Sequence, residues 1–487
     1  MRRVLIITYY WPPIGGSGVQ RWVKFAKYLP SLGWQPVVYT PSNPEQLAVD
    51  ESLLADIPAD VEVLKQPIRE PYAVYRRLVG GGASKGAGVN PINAQKKTWK
   101  QRLMLWVRSN FFVPDPRAGW VRPSVRFLSD YLLEHPVDVI VTTGPPQSVH
   151  LIGRGLHRKL GVPWVADFRD PWTRMFFFEN LPLLPCVRRR HFKLEKSVLD
   201  EATAVVSVTP RVQADFTSMT STPVHLITNG YDESDFAAEL PPRSDGKFRV
   251  VHTGLFASDG NPIELWKALA GLCSESSDFA SRLEIRLAGK VDPEIVDSIV
   301  EAGLGAQLHL LGYLPHSESV AELRQADIIL LPLRHSPEYS KVYPGKIFEC
   351  MAAVACGRAM PGLGAPCGTQ PGPLPVADGL AAAAMPVILG IGPTDSAAAE
   401  LLASTGTGIM FDWSADPSEL LMEAAAADSS VGPIAGEGCG LRSIFPDRVA
   451  KQRGAGRPFL AADGRAAAYS RKALAGRMAE LLTSIAK

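Results

Sequence analysis

The chain has 487 residues, 46% of them hydrophobic and 21% charged, with a formal net charge of +2. At roughly 150 residues per domain this length accommodates two or three well-cored globular domains, and the near-neutral charge argues neither for nor against a polyanionic partner. The six cysteines (Cys186, Cys273, Cys350, Cys356, Cys367, Cys439) form no C-x-x-C pair and have no His at zinc spacing, so neither a disulfide framework nor a metal site is indicated.

The N-terminal MRRVLIITYY runs straight into a strand pattern, with too short an apolar run for a signal peptide. The longest apolar stretch, Leu380 to Gly392, is well short of a bilayer span. The expected location is therefore the cytoplasm.

Strand-like runs alternate with helical ones along the chain, which implies crossover connections and parallel sheets covered on both faces. The strand candidates are Val4–Thr8, Pro36–Tyr39, Val137–Thr142, Trp164–Ala166, Ala204–Val208 and His225–Thr228. Helix-period stretches at Val19–Leu32, Arg122–Leu133, Ser148–Leu160 and Arg188–Leu199 separate them.

The first strand leads into Tyr9-Tyr-Trp-Pro-Pro-Ile-Gly-Gly-Ser-Gly18 and then directly into a helix. Gly15, Gly16 and Gly18 allow close backbone approach to a ligand at a helix N-terminus. A dinucleotide fingerprint needs a third glycine where Arg21 stands, which counts against an NAD-dependent enzyme. A tight turn without a ligand is the plainer alternative.

Charge is concentrated between Lys65 and Pro114, where ten Lys and Arg face one acid, Glu70. Tyr72, Tyr75, Trp99, Leu103, Leu105, Trp106, Phe111 and Phe112 interleave with them. This composition suits an anionic membrane surface. No base-reading module accompanies it, so nucleic acid is not an expected partner. A solvated helical face with a few core aromatics is the competing reading.

Further on, Thr142-Thr-Gly-Pro-Pro-Gln-Ser-Val-His150 ends a strand and opens a helix, placing His150 in the first turn, where the helix dipole favours neutral imidazole. That suits a hydrogen-bonding or base role, although a lone His is more often structural. The strand through Ala166 then runs into Asp167-Phe-Arg-Asp-Pro-Trp172. Asp167 and Asp170 flanking Arg169 at a strand end form either a polar substrate site or a self-satisfied Arg–Asp network.

The pattern pauses near residues 229–246 and restarts. Strands Phe248–His252, Leu283–Leu287 and His309–Leu311 alternate with helices Pro262–Leu272, Pro293–Ala302 and Ser317–Gln325. An apolar strand, Asp327–Pro332, then leads across a polar loop to Tyr343-Pro-Gly-Lys-Ile-Phe-Glu-Cys-Met-Ala-Ala353. Pro344 suits a first helical position, Lys346 adds positive charge in the first turn, and Glu349 lies on the same face three residues on. Together they describe a grip on a nucleotide, with phosphate at the lysine and a vicinal diol at the glutamate. An ordinary i,i+3 surface pair is the alternative.

Two stretches, 354–384 and 430–465, lack any period; the first holds 19 Gly, Pro or Ala among 31 residues. Both are expected to be insertions. A strand candidate, Pro386–Ile391, follows the first, and the chain ends in a helical pattern from Ala466 to Ile485.

In this order and spacing, VLIITYYWPPIGGSGVQRWVKFAKYL, TTGPPQSVHLIG, WVADFRDPW, ITNGYD, VVHTG, LAGKVD, LGYLPH and PGKIFECMAA resemble the GT-B glycosyltransferases of the retaining glycosyltransferase family 4. The resemblance spans nearly all of the chain except the two insertions. It implies two Rossmann-like doubly wound α/β domains facing a cleft. Residues 1–235 would take the acceptor side and 236–465 the nucleotide sugar, while 466–487 would pack back toward the first domain.

The resemblance further implies metal-independent transfer from a nucleotide-sugar co-substrate, with no other cofactor. The acceptor would be a cell-surface glycan or a lipid-linked precursor, reached in the cytoplasm or at the inner face of the membrane. Gly15–Gly18, Thr253, Gly254 and Glu349 would contact the donor, with Lys346 and Lys290 as phosphate ligands. His150 would face the sugar.

Two positions depart from the family pattern. Lys341 stands where the usual upstream glutamate belongs, and Ser258-Asp-Gly-Asn261 replaces a usual basic residue. A nucleotide-sugar epimerase or a non-catalytic binding protein of the same fold is the alternative expectation.

Overall fold

The computed structural model describes residues 1–44, 49–68, 99–241, 243, 245–356, 386–427 and 465–486. The chain forms two compact units, Met1–Asn229 with Arg471–Lys487, and Gly230–Ser470.

Unit 1 contains a seven-stranded sheet in the order β3-β2-β1-β4-β5-β6-β7, with every neighbouring pair parallel. The strands are β1 (Arg2–Thr8), β2 (Trp34–Pro41), β3 (Glu62–Gln66), β4 (Val139–Gly144), β5 (Trp164–Phe168), β6 (Ala204–Ser207) and β7 (Val224–Leu226). The central strands read as unbroken apolar runs because both of their faces are covered. On β1, Val4 and Ile6 pack into one apolar layer while Leu5 and Ile7 pack into the other.

The main helices of this unit are α1 (Ser17–Tyr28), α2 (Trp99–Phe111), α3 (Val121–Glu134), α4 (Ser148–Leu160), α5 (Pro185–Glu201) and α6 (Pro210–Thr217). The final helix of the chain (Arg471–Ile485) closes the first layer, with Leu474, Met478 and Leu482 joining Trp22, Phe25 and Trp34 of α1 and β2.

Unit 2 repeats the scheme with six parallel strands in the order β10-β9-β8-β11-β12-β13. They are β8 (Phe248–Thr253), β9 (Leu283–Ala288), β10 (Leu308–Gly312), β11 (Ile328–Pro332), β12 (Val387–Ile391) and β13 (Gly408–Phe411). Its main helices are α7 (Ile263–Glu275), α8 (Pro293–Glu301), α9 (His316–Arg324), α10 (Ile347–Cys356), α11 (Ala397–Thr405) and α12 (Ser418–Ala427), which makes the final helix of the chain α13. The α/β class with two Rossmann-like parallel sheets is thus as expected from the sequence.

Several details differ from expectation. Strands β3 and β13 were not among the candidates. β3 is a half-exposed edge strand whose Glu62 and Lys65 dilute its apolar signal. The helix expected to open at Pro344 starts at Ile347, because the Ile347 N–H closes a turn on the Pro344 carbonyl at 3.0 Å. Lys346 accordingly sits at the cap, its carbonyl accepting from Cys350 at 3.0 Å.

α10 also continues through Val354 to Cys356, into the stretch read as irregular. The last helix begins at Arg471, after a 3₁₀ turn over Arg465–Tyr469, because Ser470 bridges to Tyr231 instead. Tyr72, Tyr75 and most of both expected insertions, 357–384 and 430–464, lie outside the described residues.

Candidate functional site

In unit 1 the loops at the carboxyl ends of β1, β4 and β5 meet. Gly16, at φ 105°, sits just before α1, a conformation that a side chain would strain. The Gly18 carbonyl accepts a hydrogen bond from Arg169. Arg169 also donates to the Gly144 carbonyl at 3.1 Å and the Pro145 carbonyl at 2.8 Å, so one guanidinium ties the α1 and α4 loops together. Gly15 packs against Asp50, and a Cβ there would lie 3.0 Å from the Asp50 Cβ.

Asp167 does not pair with Arg169, as its sequence position suggested. It is fully buried, and its carboxylate is held by Arg21 (Nε 3.1 Å, Nη2 2.9 Å), Trp22 Nε1 at 2.7 Å and Thr143 Oγ1 at 3.0 Å. Burial alone would raise its pKa, but the Arg21 charge and the Arg21 and Trp22 hydrogen bonds outweigh that and hold it below the usual carboxylate range. Arg21 additionally donates to the Thr228 and Ile227 carbonyls. Asp167 is therefore held ionised below the usual carboxylate range and joins α1 to the sheet.

His150 is also fully buried, stacked on Phe168 with ring centroids 4.2 Å apart. Burial pushes its pKa down to about 3. Its Nδ1 lies 2.9 Å from the Thr142 hydroxyl, which in turn accepts from Trp164 Nε1 at 2.8 Å. The Thr142 hydroxyl therefore gives its proton to Nδ1, because its other acceptor, the Val165 carbonyl, is 3.4 Å away. This assigns the neutral ring with hydrogen on Nε2.

In this tautomer the lone pair on Nδ1 is occupied by the Thr142 hydroxyl. What remains is a donor: Nε2 is buried without a partner. It lies against Gly144, where a Cβ would come within 2.6 Å of it.

Asp170 has a different environment. It takes no hydrogen bond from a described residue, and burial raises its pKa against the opposing pull of Arg169. It lines a cavity of about 340 Å³ with Tyr10, Arg117, Gln147, Trp172, Leu105 of α2 and Phe112 just past that helix. The Gln147 Oε1 is buried there without a partner.

The turn carrying Asp170 is fixed from below by Glu195 of α5. Its carboxylate accepts the Trp172 and Thr173 N–H groups at 3.2 Å and the Thr173 hydroxyl. Asp115 supplies an equivalent anchor, accepting from the Ser148 N–H at 2.8 Å at the start of α4. None of Arg21, Gln147, Glu195 or Asp115 was singled out by sequence. Arg21, a buried cation of α1, is the one that sits beside a motif read from sequence, the Gly15–Gly18 turn.

In unit 2 the candidate donor residues gather at the carboxyl end of β8. Gly254, at φ 130°, approaches Gly289 so closely that a Cβ on Gly289 would lie 2.2 Å from the Gly254 carbonyl oxygen. Lys346 Cε stands 4.0 Å from where a Gly254 Cβ would be, which brings the start of α10 beside the end of β8. Lys346 Nζ and Glu349 Oε2 pair at 2.6 Å.

Beneath them the Thr253 hydroxyl and His252 Nε2 are buried without partners. His252 donates through Nδ1 to the Leu330 carbonyl at 3.1 Å. Its pKa, pushed down to about 4 chiefly by burial, keeps Nε2 a free acceptor. His316 of α9 bonds Asp235 at 3.3 Å, and that contact together with nearby Glu349 raises its pKa against the effect of burial. Lys290 is exposed, and only its backbone carbonyl joins this region, accepting from Phe256 at 2.9 Å.

Residues 16–230 match the family model of the glycosyl transferase 4-like domain. Solved structures similar over the full length include a glycosyltransferase from Rickettsia africae (12% identity, TM-score 0.55, covering 100% of this chain and 99% of that one). Sucrose-phosphate synthase from Thermosynechococcus elongatus is similar to the same extent (12%, 0.54, 100% and 99%). WaaG, a glycosyltransferase involved in lipopolysaccharide biosynthesis, follows (13%, 0.50, 99% and 99%).

These likenesses show the GT-B fold. No curated protein matches the sequence. The matched residues 16–230 hold the Arg21–Asp167 hub, the Asp170 cavity and two of the expected donor-loop glycines, Gly16 and Gly18, while Thr253, Gly254, Lys290, Lys346 and Glu349 lie in unit 2.

Proposed function

We propose that the protein transfers a sugar from a nucleotide-sugar donor to a hydroxyl of a glycan or lipid-linked acceptor in cell-surface polysaccharide synthesis, with retention and without a metal. The observation that carries this reading is the juxtaposition of Lys346 and Glu349 with Gly254 at the end of β8. Lys346 and the first turn of α10 supply positive potential for a diphosphate, and Glu349 supplies acceptors for a ribose diol. Thr253 Oγ1 and His252 Nε2, both unpartnered and buried, give a polar ligand a donor and two acceptors beside them.

As the bond from the anomeric carbon to the diphosphate oxygen breaks, negative charge grows on the leaving group, and Lys346 stabilises it. The new bond forms from the acceptor oxygen to that carbon. Its proton passes to Asp170, the one carboxylate of the unit 1 site without a hydrogen-bonding partner among the described residues, and the 340 Å³ cavity takes the acceptor. Gln147 Oε1 orients a second acceptor hydroxyl, with Tyr10 and Trp172 as apolar walls. His150 and Arg169 hold the surrounding loops.

No described helix is long and apolar enough to cross a membrane. α2 exposes Trp99, Leu103, Trp106, Val107 and Phe111, which supports a peripheral contact with an anionic membrane at its inner face.

A panel of nucleotide sugars tested by thermal shift on the full chain, followed by product analysis with and without acceptor, examines this. One donor should raise the melting temperature, and Lys346→Ala and Glu349→Ala should each weaken its binding by about ten- to a hundredfold. A chain that binds no nucleotide sugar, or variants with unchanged affinity, would sink the assignment.

A further inference from the structure

On the face of unit 1 where α3 and α4 pack together, a recess of about 360 Å³ is lined by Val121, Arg122, Val125 and Arg126 from α3, and by Leu151, Arg154, Gly155, Arg158 and Lys159 from α4. Gly155 lets the helices approach closely, since a Cβ there would come within 2.7 Å of Val125 Cγ2. The close approach leaves Val121, Val125 and Leu151 as a floor and raises the longer cations around it as a rim.

Five cations line this recess and no carboxylate does. Arg158 is engaged outside it by Glu201, at 2.6 and 2.5 Å, and Arg154 bonds the Ser197 hydroxyl. Arg122, Arg126 and Lys159 have no ion-pair or hydrogen-bond partner among the described residues. Helix packing has therefore gathered Arg122, Arg126 and Lys159 beside Arg154 and Arg158 with no carboxylate in the recess itself, an arrangement whose repulsion a bound anion relieves.

We propose that the α3–α4 recess binds phosphate-bearing ligands through Arg122, Arg126 and Lys159. Four of the five cations are arginines, whose planar forks match phosphate oxygens two at a time. The volume corresponds to about a dozen waters, enough for two or three phosphoryl groups and too little for a folded protein element. The three apolar floor residues accept the carbon skeleton next to the phosphate. This site depends on neither the donor residues of unit 2 nor the Asp170 cavity, and it stands or falls independently of sugar transfer.

Two ligand sources share this chemistry, a lipid headgroup and a soluble oligophosphate. Binding of the full chain is measured to inorganic tripolyphosphate by calorimetry, and to phosphatidylglycerol vesicles against phosphatidylcholine vesicles by sedimentation. The variants are Arg122→Glu with Arg126→Glu, and a control of equal charge change elsewhere, Lys267→Glu with Lys472→Glu. All four positions are exposed, so the fold should survive, and circular dichroism verifies this.

The expected result is binding in at least one arm that weakens at high salt and falls about tenfold or more in the groove variant, while the control variant keeps it. Loss in the tripolyphosphate arm identifies a soluble ligand, and loss in the vesicle arm alone identifies a headgroup. The proposal is overturned if neither probe binds, if the groove variant binds as well as the wild type, or if the control loses as much.

Discussion

Asp167→Asn tests the hub that joins α1 to the sheet of unit 1. The carboxylate accepts four donors, two from Arg21 and one each from Trp22 and Thr143, at 2.7 to 3.1 Å. Three of the donors meet Oδ2 and only Arg21 Nη2 meets Oδ1, so an amide of the same shape keeps its oxygen toward the three and turns its NH2 on Nη2, which loses its partner at about 1–3 kcal/mol. Arg21, 1% exposed, would also be left as a buried charge without its counter-ion. Removing one member of a buried pair costs about 3–5 kcal/mol, so the lost counter-charge is the larger part of the expected effect.

The assay is equilibrium denaturation of the full chain, following the transition reported by the buried tryptophans Trp22, Trp34 and Trp164. Because the folded pKa of Asp167 is depressed, its contribution is present above the ordinary carboxylate value and fades as pH falls through the lower folded one. Asp167→Asn should therefore flatten the acid limb of stability as well as lower its plateau. Arg21→Met combined with Asp167→Leu should cost clearly less than the two single changes added together. A loss below about 1 kcal/mol for Asp167→Asn, or strict additivity, would refute the hub.

Two other perturbations follow from the same geometry. Asp170→Asn should lower kcat by about a hundred- to ten-thousandfold with a smaller change in KM. Since burial raises the Asp170 pKa, the wild-type rate should fall as acid protonates it from above the ordinary carboxylate range, and the variant's residual rate should lack that limb; an unchanged kcat removes Asp170 from the chemistry. Gly254→Ala forces a side chain onto φ 130°, which should destabilise unit 2 by about 1–3 kcal/mol and weaken donor binding, read by thermal melts with and without nucleotide sugar. A variant as stable as the wild type would show that the backbone there relaxes freely.

Much of the frame was legible because it rests on local patterns. The apolar runs of β1, β4, β5, β8 and β11 announce doubly covered strands, and the glycine turn before α1 announces a close backbone approach. Edge strands β3 and β13 escaped notice because an edge needs only part of one face buried, which leaves too few apolar positions to read. Lys346 and Glu349 could be paired on spacing alone, since three residues along a helix are always neighbours.

Arg21 and Asp167 could not be paired in this way. They lie 146 positions apart, and the sequence offered Arg169, two residues away, as the nearer partner. Only the parallel crossover, which lays α1 over the end of β5, reverses that choice.

By itself the sequence determined the class of fold, two α/β sheets, and the residue types at each strand end, because periodicity and turn chemistry act over a few residues. The tertiary structure decided what each of those residues can do. His150 became a neutral donor because Thr142 and Phe168 enclose it; Asp167 became a fixed charge because four donors converge on it. Asp170, three residues on, takes no hydrogen bond from a described residue and lines a cavity. Those differences are set by burial and by partners distant in sequence, and both exist only once the chain has packed.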